Sequence, residues 1–439
     1  MSMTGHLPAQ DRAARAELRG WLLLALGALA VAGGLALALV ASRTPGMQER
    51  VPWGADFFHR GLVTHVVFSF QVWLLAMLGA LSGLVAAPRG RALGFAGLAL
   101  ALAGCGLLLV PTLNGGGEAS LNNYVPVLVH PLFYAGLAVL AAGVALASLR
   151  GLGTPDGLGC ASFCLLSALA CFALAALLIP AGTPIEHFNE RLFWGGGHVL
   201  QLVNAALLLA GWQMLARAEW GRDLLPAWPA RAAFGVLMLA AAMAPFAYRL
   251  DVLGLPHRQA FTALLWAGLP LAPLVFAAAL CLRLWRGPRD WRSPALLALV
   301  LSLAVFGLGG LAGFGLGVAD TRTPSHYHAV IGGVNLALMG VIHARLLPAI
   351  GRGGGGTGWV RAQFLLYGGG QALHALGFYL AGLAGVARKT AGAEQGLDSA
   401  LKLAAMGVVG LGGAIAVLGG VIFVVQVSGR LLRREGEHG

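Results

Sequence analysis

Residues 321–348 read TRTPSHYHAVIGGVNLALMGVIHARLLP, a long apolar run that opens with two histidines, His326 and His328, two residues apart. On an α-helix successive residues turn by about 100°, so these imidazoles point to nearly opposite sides. One helix built this way can serve a separate metal centre on each flank. A histidine entering a membrane helix is costly unless it is bound or hydrogen-bonded, which makes it a functional candidate. The plainer alternative is a pair of interfacial histidines bonded to water or to loop carbonyls.

The chain around this stretch has 439 residues, 58% hydrophobic and 10% charged, with a mean hydropathy of +0.79. Soluble domains carry about a quarter charged residues, so this composition excludes a soluble globular protein. Apolar runs of about 20 residues, each long enough to cross a bilayer, recur from end to end. Twelve spans are expected, at residues 20–42, 61–87, 92–112, 124–149, 158–180, 193–217, 229–249, 259–283, 293–315, 325–348, 359–385 and 400–428. The expected fold class is an all-α polytopic membrane protein, a single membrane domain over 1–439 with no separate soluble domain.

The net charge of +12 does not point to nucleic acid, because the basic residues sit singly or in pairs between apolar segments. That is the pattern of loops facing anionic lipid. With the N-terminus placed in the cytoplasm, nineteen of the 29 Lys and Arg residues fall on the inner side, Arg89, Arg150, Arg352 and Arg434 among them. The excess predicts both termini inside and a multi-pass protein of the inner (plasma) membrane. The five cysteines, Cys105, Cys160, Cys164, Cys171 and Cys281, form no CxxC or CxxCH. No covalent haem site or zinc ribbon is therefore expected, and they read as small core residues.

This layout also places the histidines. His65, His130, His198, His257 and the His326/His328 pair each lie near the outer end of a span, while His343 lies at an inner end. Inert interfacial histidines would fall on both faces, so imidazoles delivered to one depth by five helices suggest a bound cofactor. Glycine is abundant at 66 residues, with runs before His198 and after His328. Small residues let membrane helices, or a flat macrocycle, approach closely.

Three motifs, THVVFSF around His65, FWGGGHVLQ around His198 and SHYHAV around His326 and His328, make the chain resemble the central subunit of the haem–copper oxidase superfamily. That superfamily includes terminal oxygen reductases and nitric oxide reductases, and the resemblance covers nearly the whole chain. It implies two haems: a low-spin haem with His65 and His328 as axial ligands, and a high-spin haem held by His326 alone with its other face open to a gas. It implies that Arg388 and Lys389 neutralise haem propionates, and that His198 is the first ligand of a distal copper or non-haem iron.

The sequence departs from the family pattern at that distal site. The adjacent histidine pair expected on helix seven is missing from ARAAFGVLMLAAAMAPFAY, and one imidazole does not make a stable copper site. Glu186, His187, Glu190, Gln201 and His257 are the outer-face groups available to complete it, with Glu186 and His187 expected in the loop before helix six and Gln201 on roughly the helix face of His198. The tyrosine that oxygen reductases carry four residues after this histidine is Leu202 here, and the inner halves of the spans offer almost no Asp, Glu or Lys to relay protons.

These features lead to the expectation of a dihaem respiratory enzyme that reduces NO to N2O, taking protons from the outer face through Glu186 and Glu190. A non-pumping oxygen reductase is the alternative within the family. A haem gas sensor or electron-transfer subunit without the distal metal, and a haem-free transporter, are the alternatives outside it. Electrons would come from a partner subunit or from a soluble cytochrome c or cupredoxin on the outer face, with a quinol as a further option.

Overall fold

The computed structural model describes residues 11–433 apart from 53, 86–89, 318 and 355; Arg89 and Arg434 of the charge count lie outside the described residues. Eleven helices are long and apolar enough to cross a membrane, and the chain is a multi-pass membrane protein. They are α1 (Arg12–Arg43), α2 (Asp56–Val85), α3 (Arg91–Leu113), α4 (Pro131–Gly151), α5 (Gly157–Leu178), α6 (Ile185–Trp220), α7 (Ala227–Arg249), α8 (Leu255–Arg286), α9 (Pro294–Gly313), α10 (Arg322–Ala349) and, last in the chain, α12 (Ala400–Leu432). The span expected at 359–385 is α11 (Thr357–Leu383). It has the length to cross, but Arg361, Gln363, Gln371 and His374 leave it less apolar than the eleven.

Burial does not follow apolarity. The helices carrying His65, His198 and His326, α2, α6 and α10, are the most deeply buried of the eleven. A polar group in a bilayer must find a partner inside protein, so the helices with polar residues take the interior positions. Both α2 and α10 contain a π-helical turn, at Val67–Val72 and Ile342–Leu346. The first follows directly on His65, whose carbonyl accepts a 2.6 Å bond from the Ser69 hydroxyl. In α8 the helix is interrupted at Leu269 and Pro270, where the ring removes a donor and crowds the preceding turn.

The chain divides into two compact units. The first comprises Met1–Ala25 and Gln71–Arg289. In it α3 packs along α4 and α5 along α6, and the connection from α3 to α4 holds an antiparallel pair, β1 (Ala119–Ser120) with β2 (Val127–Leu128). One end of it is tied by a buried carboxylate: Glu17 of α1, fully enclosed, lies 2.7 Å from the Arg150 guanidinium at the end of α4 and 3.8 Å from that of Arg91 at the start of α3.

The second unit comprises Leu26–Phe70 and Asp290–Gly439. Here α10 lies between α9 and α11, and α11 runs along α12. Side-chain hydroxyls fix the register of α10. Ser302 donates to the Gly333 carbonyl at 2.7 Å, Thr321 to Phe378 at 2.8 Å and Ser325 to Ala375 at 2.7 Å. Gly412 brings α12 against the backbone of His374 in α11, where a Cβ would collide, a close approach that small residues permit in membranes.

Candidate functional site

In the second unit the imidazoles of α2, α10 and α11 gather. His65 bonds through Nδ1 to the Ala32 carbonyl of α1 at 2.9 Å, His326 to the Gly309 carbonyl of α9 at 2.7 Å, and His374 to the Val409 carbonyl of α12 at 2.7 Å. A carbonyl only accepts, so each Nδ1 carries the proton and donates. The lone pair of a neutral imidazole then lies on Nε2. This is how metal-binding histidines are held, with one nitrogen fixed by a carbonyl and the other presented.

The two histidines of the motif do face different neighbours. His326 meets α9, whereas the His328 ring meets the edge of His374 at 4.7 Å and stacks on Phe378 at 5.5 Å. His65 lies close enough to interact electrostatically with both His328 and His374. Arg43, at the end of α1, is buried with its guanidinium 5.0 Å from the Phe378 ring centre. The loop carrying Arg388 and Lys389 is hooked to the start of α10: Asp320 bridges Ala387, Thr321 N–H donates to the Val386 carbonyl and Arg388 N–H to the Ala319 carbonyl. Lys389 sits at φ +62°, a conformation that non-glycine residues rarely hold without a constraint. Asp320 is paired with Arg322 at 2.7 Å. The Arg322 hydrogen bond holds its carboxyl below the usual carboxylate range, against a weaker upward pull from desolvation.

In the first unit His198 has both ring nitrogens engaged. Nδ1 donates to the Trp194 carbonyl at 2.7 Å, and Nε2 accepts from the Tyr124 hydroxyl at 3.0 Å. Tyr124 comes from the loop between α3 and α4, with φ +66°. Burial, and secondarily the negative charge of Glu190, push its phenol well above the usual tyrosine range, so it stays protonated as a donor. Glu190 accepts from the backbone and the side-chain amide of the neighbouring Asn123, at 3.1 and 3.0 Å. Glu190 and His198 are thus held by adjacent residues of one loop, in a set connected through the Asn123–Tyr124 peptide.

Several sequence expectations change. Glu186, His187 and Glu190 do not lie in a loop: α6 begins at Ile185, because Pro184 suits the turn before a helix and IEHFNERL continues it without a breaker. Glu186 and His187 are exposed. Gln201 donates to the Gly197 carbonyl one turn back. His130 is a helix cap, its Nδ1 accepting from Leu132 N–H. His257 is enclosed beside Tyr248 and Phe261, and neither ring nitrogen has a partner. Among the described residues no three His, Cys, Asp or Glu side chains gather to hold a metal ion, so the donor set does not fit a distal copper or non-haem iron. It does fit haem iron, which needs one or two imidazole nitrogens per metal. Sequence reasoning passed over two residues. His374 is a lone histidine within LLYGGGQALHALGFYLAG, costly in a membrane by the rule already applied to His326. Tyr124 carried no local signal, because its partner lies in another helix.

The comparisons agree with this architecture. A protein of Aquifex aeolicus (strain VF5), described only as an uncharacterized protein, is 32% identical over 338 residues, 73% of this chain and 82% of the relative. This chain belongs to that protein's family. The uncharacterized protein RP382 of Rickettsia prowazekii (strain Madrid E) is 24% identical across 92% of this chain and 94% of its own length. No family model matches. Among solved structures, the cryo-EM structure of a haem–copper terminal oxidase dimer superposes with a TM-score of 0.73 over 97% of this chain and 85% of its own, at 15% identity. The fold is that of a haem–copper oxidase, as the three histidine motifs led us to expect, carried on a divergent sequence.

Proposed function

We propose that this chain is a haem-dependent membrane oxidoreductase that passes electrons through a bis-imidazole haem to a second, gas-binding haem and reduces nitric oxide to nitrous oxide. The observation that carries the reading is the gathering of imidazoles whose Nδ1–H groups are committed to backbone carbonyls, on a haem–copper oxidase fold. His65 and His328 are the proposed axial pair of the low-spin haem, and His326 the single ligand of the haem left open to gas. Arg388 and Lys389, held against the start of α10, are the proposed cations for the propionates, joined by the buried Arg43. Bound there, haem would supply a redox-active iron held by these imidazoles, its potential tuned by them and by the carbonyls that His65 and His326 bond.

The chain's own groups would then manage protons. Two NO molecules need two electrons and two protons to give N2O and water. Glu190 stands at the head of the connected set ending at His198, which makes it the proposed outer entrance, with the exposed Glu186 beside it on the helix. His198 and Gln201 are further proposed catalytic residues, and no step is assigned to a distal metal. Twelve crossings with both termini in the cytoplasm, one inner-membrane domain over 1–439, and an outer-face electron donor (a partner subunit, cytochrome c or cupredoxin) complete the proposal.

Oxygen reduction is the second reading, and Tyr124 favours it, because a phenol against the candidate gas-side histidine is a source of one electron and one proton. The test is the reduced-minus-oxidised spectrum of the purified protein, with and without CO, followed by turnover on NO and on O2. Two haems per chain, one of them shifting with CO, and N2O formation are expected. Turnover on O2 alone moves the assignment to oxygen reductase, turnover on neither makes it a haem gas sensor or electron-transfer subunit, and a colourless protein ends the haem reading. Replacing Glu186 and Glu190 together by Gln is expected to slow turnover at least tenfold while haem content stays constant; unchanged turnover removes the outer proton entrance.

A further inference from the structure

A second site lies far in sequence from the histidine motifs. The loop after α10, the start of α11 and the end of α12 enclose a cavity of about 340 Å³, in the size range of ligand sites. Arg352, Arg430 and Arg433 line it together with Trp359 and Val425. Among the described residues none of the three arginines makes an ion pair, and Arg430 lies 3.5 Å from the His343 ring nitrogen. Arg352 donates instead to the Arg433 carbonyl at 2.7 Å, which holds two of the cations to one wall. The first turn of α11 also opens here, since Gly356, its N-cap, lines the cavity and supplies no side-chain cap. The N–H groups and positive dipole end of that helix add to the field. Three cations and a helix N-terminus around one cavity repel one another until an anion enters.

The rest of the lining says which anion. Val425 is 65% exposed and begins an outward apolar stripe on α12 that continues through Val421, Leu418 and Leu411, each at least half exposed. On the other wall the Trp359 ring is 66% exposed, and its carbonyl accepts from Gln426. Indole rings favour the headgroup level of a bilayer. A charged pocket at the end of two membrane helices, running into an apolar track, has the shape of one amphiphile.

We propose that this cavity binds the phosphate of an anionic phospholipid, with Arg352, Arg430 and Arg433 on the phosphate oxygens and an acyl chain along the α12 stripe. Basic pockets between membrane helices bind such headgroups elsewhere. The pocket is independent of the haem proposal and its test uses no turnover.

The experiment is native mass spectrometry and thermal unfolding of the full chain in a neutral detergent, titrated with phosphatidylglycerol, phosphatidylcholine or inorganic phosphate. Phosphatidylglycerol is expected to remain bound and to raise the unfolding temperature, with phosphatidylcholine at least about tenfold weaker. Arg352→Gln, Arg430→Gln and Arg433→Gln combined should abolish that preference, with helical circular dichroism reporting the fold. Should the triple variant not fold, Arg433→Gln alone and the wild-type preference between the two lipids still decide. Equal binding of both lipids by the wild type overturns the proposal, as does an undiminished preference in a folded variant. A shift produced by inorganic phosphate as large as that of the lipid overturns the lipid assignment and makes the pocket a phosphate site.

Discussion

An imidazole carried into a membrane has few ways to stay there, and the histidines of this chain divide by the way each has found. His130 caps a helix, His65, His326 and His374 donate to carbonyls, and His328 packs between His374 and Phe378. Two rings, His328 and His374, are therefore available opposite His65. If haem binds as proposed, replacing His328 by Ala is expected to convert its low-spin signal to a high-spin one in electron paramagnetic resonance, while His374→Ala leaves it low-spin with a shifted potential. If His374→Ala abolishes the low-spin signal instead, the axial role passes to His374, whose Nδ1 bond to Val409 already fixes its ring. The sequence drew attention to His65, His198, His326 and His328 because each is a costly residue near a span end. It missed His374 because that residue lies deep within its span, and Tyr124 because a loop phenol meeting a distant helix leaves no periodic trace.

At the scale of elements, boundaries were less legible than existence. All twelve expected spans have a long helix, yet α6 starts eight residues early and takes Glu186 and Glu190 with it. Hydropathy marks where a helix enters apolar surroundings, not where its hydrogen bonds begin. The clasp between residues 319–321 and 386–388 was illegible for a different reason: it joins two loops that are separated in sequence by two helices. Asp320 stands in that clasp, but its carboxylate is held by Arg322 two residues on. Because Arg322 depresses the folded carboxyl, the contribution of this pair is present in full above the unfolded value, about pH 4, and is lost as pH falls through the lower, folded value. Unfolding temperature measured from pH 6 down to pH 3 should therefore drop more steeply for the wild type than for Asp320→Asn. Parallel curves would show that the carboxylate contributes nothing there.

Over the whole molecule, class and fold were legible because a bilayer leaves few choices: apolar runs become helices, and polar ones turn inward. The division into two units was not, since residues 26–70 join 290–439 through packing that no local pattern announces. Nor was the link within the first unit where Glu17 meets Arg91 and Arg150. Glu17→Gln leaves the enclosed Arg150 guanidinium without its counter-charge, while Arg91 keeps Asp11 at 2.6 Å, and should cost about 3–5 kcal/mol, read as a fall in folded yield and unfolding temperature. Arg150→Leu with Glu17→Leu should recover part of it; no recovery would mean that the cost lies in packing. The same contact bears on how the chain is made. Glu17 leaves the ribosome in the first helix, whereas Arg150 is the second-last residue of α4, so for much of that interval the nascent chain holds a carboxylate whose nearest counter-charge has not been synthesised. The contact that ties α1 to α4 can therefore form only once α4 is nearly complete.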